Sequence, residues 1–157
     1  MDTQPSVLLR AGRGALKGVI ATIPMLAVLL ASRALRPRPR PPLPSVRAAK
    51  RLSLALGLSW NTPKPARGVI ATLAHLGIGA SAGAAHALLI PRARTPSTRA
   101  LAGVAYGTAV WAFGYAAALP ALGLIERPTR SPRGQVATMI AAHWVYGLVL
   151  EQPTRRR

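Results

Sequence analysis

Charged positions in this chain fall in clusters. Between them lie four runs without Asp, Glu, Lys or Arg: Gly18–Ser32, Gly68–Pro91, Ala100–Ile125 and Gly134–Leu150. A soluble amphipathic helix places charge on its outer face every few residues, and none of these runs does. A helix crossing a bilayer needs about 20 mainly apolar residues. The second and third runs meet that length alone and the fourth nearly does. The first meets it when extended back through Leu16 to Gly12, with Arg13 and Lys17 reaching the headgroups by snorkelling. The pattern therefore predicts an all-α transmembrane four-helix up-down bundle. Its spans lie near 13–33, 67–90, 100–124 and 134–151, and residues 1–157 form a single membrane domain. An N-terminal cleaved signal is a poorer description, because no small-x-small cleavage site precedes a soluble domain.

The connection over residues 34–66 has two parts. Arg36 to Pro42 alternates proline with arginine, which excludes helix and favours a stiff polyproline II strut. Ser45 is then placed to cap a short helix running to about Leu58. Val46, Ala49, Leu52 and Leu56 share one side of it, and Arg47, Lys50 and Arg51 share another. This is the pattern of a basic interfacial helix between spans one and two, with those three cations contacting anionic lipid headgroups. Trp60 follows at headgroup depth. Short connections make successive helices antiparallel. Twelve Lys and Arg then fall on the side of the 34–66 connection and nine on the other, which places that connection in the cytoplasm by the positive-inside rule.

Inside lipid, helices associate through close backbone approach and interhelical hydrogen bonds. Gly14 and Gly18, Gly79 and Gly83, and Gly103 and Gly107 are each four residues apart, giving a small-residue ridge on each of three helices. Gly77 and Ser81 form a second ridge on span two. Pro24 and Pro120 lie inside spans one and three, where each frees a carbonyl one turn earlier and kinks the helix; the hydroxyl of Thr22 is near enough to satisfy the first. Gly18 to Thr22 recurs unchanged as Gly68 to Thr72, a faint repeat.

Composition narrows the chemistry. The 157 residues include 21 Lys and Arg, 3 Asp and Glu and no cysteine, for a net charge of +18. Nucleic-acid binding is disfavoured, because stacking aromatics are scarce and the cations flank apolar spans rather than lining a face. No Gly-x-Ser-x-Gly, His-Glu-x-x-His or phosphate-loop motif is present, so no enzymatic activity, catalytic residue, cofactor or metal site is assigned. Polar groups within spans are the candidates for function: His75, His86, His143 and Tyr146. His75 and His86 are eleven residues apart and face one side of span two, about 16 Å apart along its axis. That distance is too long for one shared metal ion. His143 meets one or the other, depending on how the helices dock. A proton relay is one use of these groups, and simple helix-to-helix hydrogen bonding is the other. The acids Asp2, Glu126 and Glu151 all lie at or beyond span ends, which counts against transport.

Several motifs occur in a set order. They are Ala-Thr-x-Pro at Ala21 to Pro24, Pro-Pro-Leu-Pro at Pro41 to Pro44, Ala-His-Leu-Gly-x-Gly at Ala74 to Gly79, Ala-Tyr-Gly-x-x-Val-Trp at Ala105 to Trp111, and Ala-His-x-Val-Tyr-Gly at Ala142 to Gly147. In this order the chain resembles the YagU-like family of small bacterial multi-pass inner-membrane proteins of unknown function. The resemblance implies an inner-membrane location and no particular activity. The resulting expectation is a structural or interaction role, packing against lipids or as an accessory subunit of a larger membrane complex of respiratory or photosynthetic type. Its partners would be membrane lipids and other membrane subunits or copies of itself. The alternative is a small transporter or channel, proton-linked through the intramembrane histidines.

Overall fold

The computed structural model describes residues 6–35, 44–57, 60–61, 63–91 and 95–153. Among these the fold is all-helical. The long helices are α1 (Val7–Ala34), α2 (Pro44–Ala55), α3 (Lys64–Leu89) and α4 (Pro96–Val110). The helix of α4 continues as a π-helical segment (Trp111–Ala118) and ends in the short α5 (Leu119–Ala121). A 3₁₀ turn (Pro128–Arg130) then leads to α6 (Arg133–Leu150). The polyproline strut expected over Arg36 to Pro42 lies outside the described residues.

The starts of α1 and α4 follow capping chemistry rather than the limits of the charge-free runs. The Ser6 hydroxyl accepts from the Leu9 amide and starts α1 at Val7, six residues before the expected span. Thr95 and Thr98 form a reciprocal capping box with Pro96 at the first helical position, so α4 begins before Arg99 rather than after it. Ser45 does not cap α2: the helix already includes Pro44, and it ends at Ala55 rather than Leu58. α2 packs against α3, and its Arg51 donates to the Gly123 carbonyl at 2.6 Å.

Among the described residues, three helical stretches are long and apolar enough to cross a membrane: Val7–Ala34, Pro65–Leu89 and Pro96–Ala121. α6 is not among them. Its first turn holds Arg133 and Gln135 and its middle holds His143, yet it buries Met139, Ala142, His143, Tyr146, Gly147 and Leu150. It packs on both α1 and α4, so much of its surface meets protein.

The seams between helices are built on glycine. In α1 the buried residues Gly14, Gly18, Ala21, Thr22, Met25 and Leu29 recur at helical spacing. A methyl group placed on Gly18 would press on the Gly79 carbonyl, and one on Gly83 would press on the Gly14 carbonyl. α1 and α3 therefore cross antiparallel with their backbones touching. α4 and α6 repeat the arrangement: added methyls would meet the Gly147 carbonyl at Gly103 and the His143 carbonyl at Gly107. The repeat Gly18 to Thr22 and Gly68 to Thr72 has no structural counterpart, since nothing lies near the Cβ position of Gly68 and Thr72 is exposed where Thr22 is buried.

Both prolines are accommodated in ways the kink expectation did not specify. α1 runs unbroken through Pro24, and the Thr22 hydroxyl bonds the Gly18 carbonyl at 2.8 Å rather than the carbonyl that Pro24 frees. Before Pro120 the helix widens to π geometry, with the Leu119 amide reaching the Gly114 carbonyl five residues back. A proline ring clashes with the carbonyl one turn earlier, and the wider turn relieves that contact. The helix then stops at Gly123, whose φ of +67° lets the Gly123 and Leu124 amides close back on Pro120 and Leu119.

Candidate functional site

The buried polar groups of α4 and α6 converge on one face of α3. Positions 75, 79, 82 and 86 recur at intervals of four, three and four, so they stack along a single stripe. The levels at 79, 82 and 86 each carry a polar partner from α4 or α6.

At one end, His86 Nε2 lies 2.7 Å from Glu151 Oε1. Glu151 is the C-terminal capping residue of α6 and only 8% exposed. A helix C-terminus disfavours a carboxylate through its aligned carbonyls, and this end is offset by cations. Lys17 of α1 donates to the Leu150 and Gln152 carbonyls, both at 2.8 Å, and so caps α6. It points inward onto a helix end rather than outward to headgroups. Arg10 donates to the Ala87 carbonyl at 2.9 Å, fastening the start of α1 to the end of α3. A cleft of about 110 Å³ beside Glu151 is lined by Pro96, Arg99, Ala100, Leu148 and Gln152.

One turn further in, the Tyr106 ring of α4 meets the His86 ring edge-on at 4.7 Å, and its hydroxyl donates to the Ala82 carbonyl at 2.6 Å. At the next level the Tyr146 hydroxyl of α6 donates to the Gly79 carbonyl, also at 2.6 Å, with Tyr146 only 2% exposed. A phenol donating to a carbonyl keeps its oxygen lone pairs for a further donor.

The innermost level holds His75, one turn before Gly79 on α3, and His143, one turn before Tyr146 on α6, which the parallel run of these two helices sets at similar depth. His143 Nδ1 donates to the Met139 carbonyl at 2.7 Å, so the neutral ring keeps a lone pair on Nε2. His75 Nε2 and Trp111 Nε1 are buried with no hydrogen-bond partner. Trp111 begins the π-helical segment. Nearby on the outer side of α4, Trp144 Nε1 donates to the Thr108 hydroxyl at 2.9 Å.

The structure thus separates the three histidines into two settings: His143 with His75, and His86 with Glu151. Glu151 is the residue that sequence reasoning set aside. It follows a charge-free run of 17 residues and looked like a span-end acid, whereas α6, docked parallel to α3, carries it to the depth of His86. Gly147 was also missed, because its ridge is completed by the bare backbone at His143 rather than by a second glycine. Among the described residues no three His, Asp or Glu side chains cluster to hold a metal ion. Arg47 and Lys50 lie on α2, with Lys50 exposed, and the Gly123 contact draws Arg51 toward the protein.

No family profile matches the chain, and no curated protein or solved structure matches it.

Proposed function

We propose that this chain is a four-span, up-down membrane bundle with a structural or interaction role, either packing against lipids or serving as an accessory subunit of a larger respiratory or photosynthetic type of complex. The observation that carries this is the inverted distribution of side chains. Glycine, alanine and bonded polar groups share the seams with Met25, Leu29, Met139 and Leu150, while Leu16, Ile20, Ile23, Leu73, Ile78, Leu101 and Phe113 are exposed. Such a surface is stable in hydrocarbon and unstable in water. α6 supplies the fourth span: its 18 residues reach about 27 Å at 1.5 Å per residue, close to the roughly 30 Å of the hydrocarbon core. Neighbouring helices cover its His143 and Tyr146.

An interaction role is supported by α3, which keeps a second small-residue ridge outside the α1 seam. Nothing lies within 4 Å of the Gly77 Cβ position, and Ser81 is exposed. The location in this proposal is a bacterial inner membrane, with the 34–66 connection cytoplasmic and α2 on the headgroups; membership of the YagU-like group belongs to the same proposal. The test is gentle extraction from native membranes followed by native mass measurement. A stoichiometric partner or homo-oligomer is expected, and a bare monomer would remove the interaction role.

A second reading, a small proton-linked transporter, is favoured by the buried His86–Glu151 pair. Proton flux in proteoliposomes that vanishes in a His75→Leu, His143→Leu double variant would make it the better one.

A further inference from the structure

The row on α3 has a direction. One end is an acid bordering a cleft, and the other end is a pair of imidazoles near the middle of the bundle. The eleven residues from His86 to His75 span about 16 Å, roughly half the hydrocarbon thickness. Between them the Tyr106 and Tyr146 hydroxyls sit on carbonyls three residues apart, about 4.5 Å along the axis, a gap that one water bridges. At the inner end two buried nitrogens, His75 Nε2 and Trp111 Nε1, have no protein partner. A buried polar atom without a bond is costly, and an internal water at each removes that cost. The helix departs from α geometry at Trp111, and π segments concentrate at functional sites.

We propose that this row is a proton-uptake path, opening to water at Glu151 and ending on a buried, hydrated proton-binding site formed by His75 and His143. It rests on the proton-linked reading above and names the site of that chemistry.

The transfer balances without any other reactant. Glu151 takes a proton from hydronium in the cleft, leaving water, and passes it to Nε2 of His86 in its Nδ1–H tautomer. The imidazolium releases its Nδ1 proton to water beside the Tyr106 hydroxyl. Each phenol gives up its O–H proton as it accepts another, and the proton comes to rest on the Nε2 lone pair of His143 or on His75. Glu151 is left as the anion. The charges that face this path act mainly at its mouth. From α1 they are Lys17, held on the α6 carbonyls, and Arg10, held on Ala87. From α4 it is Arg99, on the cleft wall. Further in, the titratable groups are Tyr106 of α4, Tyr146 of α6 and the buried Tyr115 of the π segment.

The test is a stopped-flow acid jump on the full chain in nanodiscs, following imidazole and carboxyl infrared bands. The bands are assigned with His75→Gln and His143→Gln. Imidazole protonation is expected in the native protein and is expected to slow about tenfold or more in Glu151→Gln. Tyr106→Phe keeps the ring contact, removes one hydroxyl and is expected to slow uptake too; it decides the matter if Glu151→Gln does not fold. Uptake at the native rate in either folded variant overturns the path, as does failure of His75 and His143 to protonate short of unfolding. Parallel flux measurements separate the two ideas. Uptake without net flux removes transport and leaves the site standing, while flux that survives loss of the row removes the path alone.

Discussion

Substitution of Gly18 tests the seam on which the bundle depends. An added methyl would lie 2.9 Å from the Gly79 carbonyl carbon and 3.0 Å from Gly83 Cα, and closer still to the Gly79 oxygen. Ordinary van der Waals contact begins near 3.4 Å, and all these atoms are backbone, so neither helix has a flexible end that gives way. α1 and α3 must separate by roughly half an ångström or more along the seam, loosening many dispersion contacts at once. Overpacking of this kind costs about 1–3 kcal/mol. Added to it is strain on the Tyr146–Gly79 hydrogen bond, which a displaced Gly79 carbonyl lengthens. Gly18→Ala is therefore expected to lower stability by about 2 kcal/mol, and Gly18→Leu to prevent native packing. Gly77→Ala on α3 is the control. It meets nothing within 4 Å and gains up to about 1 kcal/mol of helix propensity, so it is expected to be neutral or stabilising. Reversible unfolding by SDS titration in mixed micelles, followed by circular dichroism, reads both. Equal effects for the two alanines would refute the argument that backbone contact at Gly18 holds the fold.

Tyr146→Phe removes one buried hydrogen bond and leaves the Gly79 carbonyl with only its helical partner; a loss of about 0.5–1.5 kcal/mol is expected in the same titration. Lys17→Met uncaps α6, and hydrogen exchange at the amides of residues 147–152 should accelerate about threefold or more, consistent with a cap worth roughly 1 kcal/mol. Gly123→Ala forces a side chain into the left-handed region at φ +67° and is expected to cost about 1–2 kcal/mol, with the loss visible as earlier proteolysis after Ala121. Arg51→Gln unties α2 from Gly123, and limited proteolysis between residues 44 and 57 should quicken while the stability of the long helices changes by less than about 0.5 kcal/mol.

The helical class was legible because charge-free length is a one-dimensional property, and the runs around Gly68–Pro91 and Ala100–Ile125 state it directly. Helix limits were less legible. Ser6 and Thr95 start their helices through hydroxyl caps, which lie inside the polar clusters that a charge count assigns to connections. Glycine spacing on α1 and α3 marked faces that meet in the fold. The partner of the α4 ridge did not show, because Gly147 has no second glycine one turn away and His143 turns its side chain toward Met139. The pairing of His86 with Glu151 depends on how far α6 slides against α3. That register is fixed by the Gly103–Gly147 and Gly107–His143 contacts together with the Tyr146 bond, and single-helix periodicity carries none of it.

α6 also bears on how the protein is made. α6, which buries Met139, Ala142, His143, Tyr146 and Leu150, is synthesised after α1, α3 and α4, and its Arg133, Gln135 and His143 make it a poor substrate for partition into lipid by itself. α1 and α3 can close their glycine seam while the ribosome is still translating, but α4 has no comparable seam until α6 arrives to lie between it and α1. In the proposed four-span arrangement, biogenesis then takes two steps: a hairpin of α1 and α3 waits in the bilayer, and α6 enters by way of protein already there.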